Sequence, residues 1–386
     1  MKFKVTDTVE YIGVDDKTID LFESQYIVPN GISYNSYLIR DEKNVIMDTV
    51  DERATDEWIA NVESSLQGEK PDYLVISHLE PDHSGNIQNL AEKYPEMKLI
   101  LTQKASDMMN QFMDNDYSER YVIVKEGDEI SLGKHKLQFI MAPMVHWPEV
   151  MVTYEQTEKI LFTADGFGKF GALDTEEDWA CEARRYYFNI VGKYGMQVQM
   201  LLKKVANLDI KTICPLHGPV LQDNLEYYLN KYRIWSSYDP EDDGVLIAYN
   251  SIHGNTAKAM EKLKQILKDK GAPKVVLSDL ARSDMAEVIE DAFRYDKMII
   301  ASPTYDAGLF PMTELFLRTL RNKNYQKRKV GIIENGSWAP IAAKQIKDIV
   351  STMKDVSICD TVVSIKTKMT EDTEQQMQNL ATEILN

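Results

Sequence analysis

The chain has 386 residues, a formal net charge of −17, 44% hydrophobic residues and three cysteines. Its acidity excludes a nucleic-acid binder, which needs a basic footprint, and no apolar run is long enough to cross a bilayer. Cys181, Cys214 and Cys359 stand far apart, which excludes a disulfide framework and an iron–sulfur module and fits a reducing compartment.

The N-terminal MKFKVTDTVEYIGV lacks the apolar core and cleavage site of a signal peptide, so a cytoplasmic protein without membrane partners is expected. The length predicts two domains. The strongest break is the acidic, Pro- and Gly-punctuated stretch 236–244, SSYDPEDDG, read as a linker between domains at 1–240 and 244–386.

Up to residue 49, alternating runs at 18–22, 33–39 and 45–48 predict hairpin strands. From Arg53, helical spacing runs through Ala54, Trp58, Val62 and Leu66. Pro71 restarts the chain into the buried strand Tyr73-Leu74-Val75-Ile76. Directly after it come His78, Glu80, Asp82, His83 and Gly85. Four potential metal ligands thus fall within six residues, in a chain with only six histidines. In an extended segment, alternation aims His78, Glu80 and Asp82 one way and His83 another. The stretch can therefore serve two neighbouring metals, His78 and Glu80 on one, Asp82 and His83 on the other.

Helices are predicted at 86–94 and 105–112, and strands at 99–102, 121–124, 129–132, 137–141, 150–154 and 160–163. A long helix at 178–205, a strand at 211–214 and a closing helix at 221–235 complete an α+β layered domain. His146, Asp165 and His217 each sit just past an apolar strand, as His78 does. Strand-end loops on one rim can converge. A lone histidine in such a place is more often a hydrogen-bonded core residue, but beside the cluster the odds reverse. His135, in the polar turn GKHK, is read as surface. The donor set is then four imidazoles (His78, His83, His146, His217) and three carboxylates (Glu80, Asp82, Asp165). Carboxylate shifts preference from zinc toward harder iron. Three carboxylates and a bridging hydroxide balance two ferrous ions. Asp165 is best placed as the bridge, since a carboxylate can span metals about 3.5–4 Å apart.

From Gly244 the grammar becomes strand–helix alternation, with strands at 245–249, 274–277, 297–301, 330–333 and 361–365 and a last helix at Glu371–Leu385. This predicts a doubly wound five-stranded parallel sheet, whose ligands lie outside the strands' carboxyl ends. Three post-strand loops qualify. Ser251-Ile252-His253-Gly254-Asn255-Thr256, ahead of a helix, forms a phosphate cradle without the Walker lysine of a triphosphate site. Ser302-Pro303-Thr304-Tyr305-Asp306-Ala307-Gly308 sets an aromatic among small polar residues. Glu334-Asn335-Gly336-Ser337-Trp338 offers an indole to stack on a flat ring. Gly-Asn-Thr alone is often a helix cap, and His253 reads equally as a phosphate contact or an exposed turn residue.

The order H-x-E-x-D-H, then His, Asp and His, resembles the metallo-β-lactamase fold, an αββα sandwich, in a branch with Glu80 where its hydrolases carry His. The three later loops resemble flavodoxin, which implies FMN. Together the two halves resemble the flavodiiron proteins (A-type flavoproteins) over essentially the whole chain. His146-Trp147-Pro148 and Tyr34-Asn35-Ser36-Tyr37 are also similar to stretches of that family. The resemblance implies reduction of dioxygen to water, of nitric oxide to nitrous oxide, or both, at two irons fed through FMN. It implies His78, Glu80 and His146 on one iron, Asp82, His83 and His217 on the other, and Asp165 between them; in some members the counterpart of His83 is uncoordinated. Tyr194 resembles a tyrosine near the pocket that could donate a hydrogen bond to substrate, with helix packing as the equal alternative. The family also implies a head-to-tail homodimer or a dimer of such dimers. The absence of a rubredoxin module implies a separate electron donor, such as rubredoxin. Two other readings stand beside this one: a zinc hydrolase of the metallo-β-lactamase fold fused to a flavodoxin domain, and an electron carrier whose first domain only docks partners.

Overall fold

A computed structural model describes residues 2–386. Contacts gather these into two compact units, one running through Tyr187 and resuming over Tyr194–Arg233, the other made of Phe188–Lys193 and Ile234–Asn386. No helix among the described residues is long and apolar enough to cross a membrane.

The first unit is built on two sheets. The larger has seven strands in the order Phe3–Lys4, Val9–Tyr11, Tyr37–Ile39, Val45–Met47, Tyr73–Val75, Lys98–Thr102 and Tyr121–Val124, antiparallel over the first four and parallel thereafter. The smaller has five: Glu129–Ser131, Lys136–Met141, Met151–Glu155, Ile160–Phe162 and Thr212–Cys214, with only the last pairing parallel. Tyr37, Met47, Val75 and Ile100 of the first sheet share one core with Phe139, Met151, Phe162 and Cys214 of the second. Alternation along the strands turns these faces toward each other. The helix Thr55–Leu66 buries Trp58, Val62 and Leu66, three of the four positions its spacing predicted, while Ala54 precedes it and is half-buried.

The expected strand 33–39 is two strands in two sheets. Ile32–Tyr34 pairs with Val14–Asp16, and Tyr37–Ile39 joins the large sheet. The break falls at Asn35 and Ser36, whose buried side chains bond elsewhere. Asn35 Nδ2 donates to the carbonyls of Pro215 and Gly218 (both 2.8 Å), and Ser36 Oγ to that of Asp48 (2.9 Å). The expected helix 178–205 is likewise interrupted. Helices Trp179–Tyr186 and Gly195–Val205 flank a π-helical turn, Tyr187–Val191, and a 3₁₀ turn, Gly192–Tyr194. Gly192, a poor helix former, falls in the interruption, and Gly195 starts the helix after it.

His135 is not a surface residue. It is 3% exposed, and its Nδ1 lies 3.0 Å from Glu155 Oε1. Glu155 also accepts the backbone N–H groups of Thr157 and Glu158 (2.8 and 2.6 Å), so it closes the turn after its own strand and pairs the neighbouring hairpin. A polar turn sequence concealed this because the partner lies twenty residues on.

The second unit is a parallel sheet in the order Val275–Asp279, Asp242–Tyr249, Tyr295–Tyr305, Lys329–Asn335 and Ser357–Ile365, with Gly308–Leu309 added antiparallel to the third. The helices Asn255–Asp269 and Glu371–Leu385 bury Met260, Leu263, Leu267, Met377, Leu380 and Ile384 in its core. The stretch read as a linker, 236–244, is mostly regular structure. The helix Leu225–Ser237 runs into it and the first strand begins at Asp242. Arg294 and Lys297 take up Asp242 and Asp243 (2.6 and 2.7 Å).

The Glu155 carboxylate raises the His135 imidazole above its ordinary value against the opposing effect of burial. A raised folded value means that the stabilisation is complete below the unfolded value, about 6.5, and is lost as pH rises through the folded one. His135→Gln should therefore lower the urea midpoint strongly near about pH 6 and progressively less toward about pH 9. An equal loss at both would contradict the pairing.

Candidate functional site

The site forms where several strands of the first unit end. After Tyr73–Val75 the chain is pinned by Ser77 N–H donating to Asp48 Oδ1 (2.6 Å). His78 follows, then Glu80, which precedes the single helical turn Pro81–Ser84. Proline at a first helical position explains the turn. The extended run therefore stops at Glu80, and the expected alternation does not reach Asp82, which rides with His83 on the helical turn. That turn is tied down by Thr49 Oγ1 donating to the His83 carbonyl (2.6 Å) and by Ser84 Oγ donating to that of Leu79 (2.8 Å). His146 comes from the connection between Lys136–Met141 and Met151–Glu155, and Asp165 follows Ile160–Phe162. His217 follows Thr212–Cys214, on the loop that Asn35 grips. The next residue, Gly218, has φ +79°, and a Cβ there would lie 2.7 Å from Lys169 Cγ, so only glycine fits.

The seven side chains fall into two groups. Ligand atoms of His78, Glu80, His146 and Asp165 all lie within 4.8 Å of one another, as do those of Asp82, His83 and His217. Asp165 faces both. Its Oδ2 is 3.4 and 3.1 Å from Nε2 of His78 and His146, while its Oδ1 is 3.1 and 3.7 Å from Nε2 of His83 and His217. Glu80 Oε2 lies 3.2 Å from His78 Nε2 and 3.0 Å from His146 Nε2; Asp82 Oδ2 lies 3.3 Å from both His83 and His217. All but Glu80 are buried. A third acidic–imidazole group, His135 with Glu155 and Glu158, is the ion pair described above.

Charge and burial conflict here. Burial pushes the Asp165 carboxyl up, but the imidazoles of His78 and His83 outweigh it and hold the group well below the carboxylate range. Burial likewise opposes charge on His146, yet Asp165 and Glu80 raise it to about 9. Both oxygens of Asp82 and Asp165, both nitrogens of His83 and Nε2 of His217 are buried without a hydrogen-bond partner among the described residues. Native interiors rarely leave so many polar atoms unsatisfied in one place. Imidazole nitrogens and carboxylate oxygens pointed at two shared spaces are what two transition-metal ions require, so the residues present fit a metal pair.

Neighbours that sequence reasoning missed complete the surroundings. The Glu149 carboxylate meets His78 Nδ1 at 2.8 Å; its only signal was its place after His146-Trp147-Pro148. The ring of Tyr186 lies 5.5 Å from that of His217 and is buried; within a helical run it reads as ordinary packing. Tyr34, 6.0 Å from the same imidazole, receives a 2.8 Å hydrogen bond from Arg53 Nη2. Tyr194 is half-buried where the 3₁₀ turn meets the helix Gly195–Val205; the tyrosine rings beside His217 are those of Tyr34 and Tyr186.

In the second unit a cavity of about 370 Å³ opens at the carboxyl ends of the strands. From the first expected loop Ser251, Ile252, His253, Asn255 and Thr256 line it; from the second, Pro303, Thr304 and Asp306; from the third, Asn335, Gly336, Ser337 and Trp338. Gly254 is not in the lining; it starts the helix with φ +84°. Nor is Tyr305, whose ring leans on Phe310 (5.7 Å). Thr367 joins the lining unforeseen, linked to Ser337 (Oγ···Oγ1 2.5 Å) and, through its N–H, to Asn335 Oδ1 (3.0 Å). Trp338 is 83% exposed, free to cover a planar ligand. Hydroxyls and a helix N-terminus, with no Lys or Arg in the lining, suit the phosphate of a mononucleotide.

Residues 32–218 match the family model described as ODP family beta lactamase, and residues 246–381 match the flavodoxin domain. An anaerobic nitric oxide reductase flavorubredoxin from Vibrio vulnificus is 29% identical over 386 residues, covering 96% of this chain and 76% of that protein. The structure of rubredoxin oxygen:oxidoreductase from Desulfovibrio gigas superimposes with a TM-score of 0.93 at 27% identity, over 100% of this chain and 98% of that one. A flavodiiron protein from Giardia intestinalis shares the fold, with a TM-score of 0.91 at 24% identity over 100% and 96% of the chains. The chain thus carries a β-lactamase-like domain followed by a flavodoxin domain, and along nearly its whole length it is similar to flavorubredoxin and to rubredoxin oxygen:oxidoreductase.

Proposed function

We propose that this chain is an FMN- and diiron-dependent oxidoreductase that reduces dioxygen to water, nitric oxide to nitrous oxide, or both. The observation that carries the reading is Asp165, buried, with one oxygen toward each group of ligands. In this reading His78, Glu80 and His146 would hold one iron, Asp82, His83 and His217 the other, and Asp165 would offer one oxygen to each group. When bound, the irons supply a redox-active Lewis-acid pair and the flavin supplies electrons two at a time.

The chain's own groups do the rest. The imidazoles of His78, His83 and His146 are raised by their carboxylate neighbours, so a metal bound there would compete with protons. Burial of the pocket excludes bulk water and strengthens every charge interaction inside it. Tyr186, whose hydroxyl is held protonated by burial and by the carboxylates of Asp165 and Asp82, stands beside His217 as a hydrogen-bond donor. Tyr194 is a second candidate for that role. The lining residues of the second unit would hold FMN, Ser251, Asn255 and Thr256 offering hydroxyls and the helix start to its phosphate and Trp338 an indole to its ring. Glu80 in a position where the fold's hydrolases carry His disfavours the zinc-hydrolase reading.

A rubredoxin-like protein is the proposed electron donor. A head-to-tail homodimer, bringing the flavin of one subunit to the irons of the other, and a cytoplasmic location complete the reading.

Asp165→Asn should abolish binding of the iron pair while leaving FMN stoichiometry unchanged, as read by metal analysis and flavin absorbance; retention of two irons would contradict a spanning role. Trp338→Ala should weaken FMN binding about 2–10-fold, the worth of one stacked aromatic at about 0.5–1.5 kcal/mol, without altering metal content. Fully reduced protein mixed anaerobically with nitric oxide, and separately with dioxygen, should reoxidise its flavin within turnover time in at least one case. Hydrolase turnover indifferent to flavin redox state would overturn the assignment.

A further inference from the structure

The imidazoles of the site are not held alike. His217 Nδ1 donates to the backbone carbonyl of Ser33 (2.7 Å). His83 Nδ1 is buried with no hydrogen-bond partner among the described residues. His78 Nδ1 instead meets a carboxylate, Glu149 Oε1, at 2.8 Å. That side chain is wholly buried. Its Oε1 also accepts the Leu79 N–H (2.9 Å), while Oε2 has no hydrogen-bond partner. A carboxylate so enclosed and half-satisfied needs positive charge behind its one imidazole partner. His78 Nε2 faces Glu80 and Asp165 (3.2 and 3.4 Å), inside the first ligand group.

Glu149 is itself placed firmly. Thr102 Oγ1 donates to its carbonyl (3.0 Å), the Ala142 N–H to that of Val150 (2.9 Å), and the Trp147 ring stands edge-on to His78 at 5.2 Å. We infer that Glu149 is a positioning residue that fixes His78 as its Nδ1–H tautomer and raises its donor strength above that of His83 and His217, so that the two metal positions are electronically unequal. A carboxylate behind a ligating imidazole raises its donor strength and fixes its orientation. The position served by His78, Glu80 and His146 therefore favours the more highly charged metal. The inference rests on the iron-pair reading above.

The test is anaerobic ferrous-ion titration of metal-free protein, followed by a redox titration of the loaded iron pair. Wild-type protein taking up two ferrous ions per chain supports the underlying reading; failure to do so removes that reading. Given that uptake, Glu149→Gln should weaken one of the two sites about 10–100-fold and shift the pair's midpoint potential upward. FMN content should not change. Glu149→Asp, which restores the charge on a shorter arm, should recover part of both effects. Wild-type affinity and potential in Glu149→Gln would overturn the positioning role while leaving the iron pair intact. If circular dichroism shows Glu149→Gln unfolded, Glu149→Asp carries the same titrations: intermediate values support the role and unchanged ones overturn it.

Discussion

Three carboxylates crowded into one buried space are unstable together unless positive charge is buried with them. Glu80, Asp82 and Asp165 pose that problem, and the rest of the first unit is arranged around its solution. In the protein alone the imidazoles of His78, His83 and His146 answer part of it, His146 by holding its proton to about 9. The unsatisfied atoms of Asp82, Asp165, His83 and His217 show what is left over. Two cations answer the remainder, and binding them is then coupled to the stability of the unit that gathers the ligands.

The gathering depends on polar residues that break regular structure at chosen places. Asn35 ends one strand early and in doing so clamps the loop bearing His217. Asp48, at φ +54°, leaves its sheet to receive Ser77, one residue before His78. Pro81 converts an extended run into a helical turn, which separates Asp82 and His83 from Glu80. Each device sacrifices a little secondary structure to aim a side chain. The second unit works differently: its parallel strands all end at one edge, and the topology alone collects three loops around a cavity.

Much of this was legible from residues alone. Four ligand-type side chains in six positions after an apolar strand have few bland explanations, and three more residues sat at equivalent strand ends. The parallel sheet of the second unit was legible because each strand is a short apolar run before its own helix. Other features depended on partners far away in the chain. His135 looked solvated until Glu155 closed over it. The break at 187–194 had only Gly192, with Gly195 just after it, to announce it, within a run whose apolar spacing stays helical. Glu149 and Tyr186 carry ordinary residue types in ordinary settings, and only the folded geometry sets them against His78 and His217.

The central claim is that the two ligand groups hold two irons with Asp165 between them. Crystals of the iron-loaded protein, measured on both sides of the iron absorption edge, test it most directly. The account predicts two anomalous peaks per chain, about 3.5–4 Å apart, each beside one oxygen of Asp165. A single peak, a zinc signal in place of iron, or two peaks on the same side of Asp165 would contradict it.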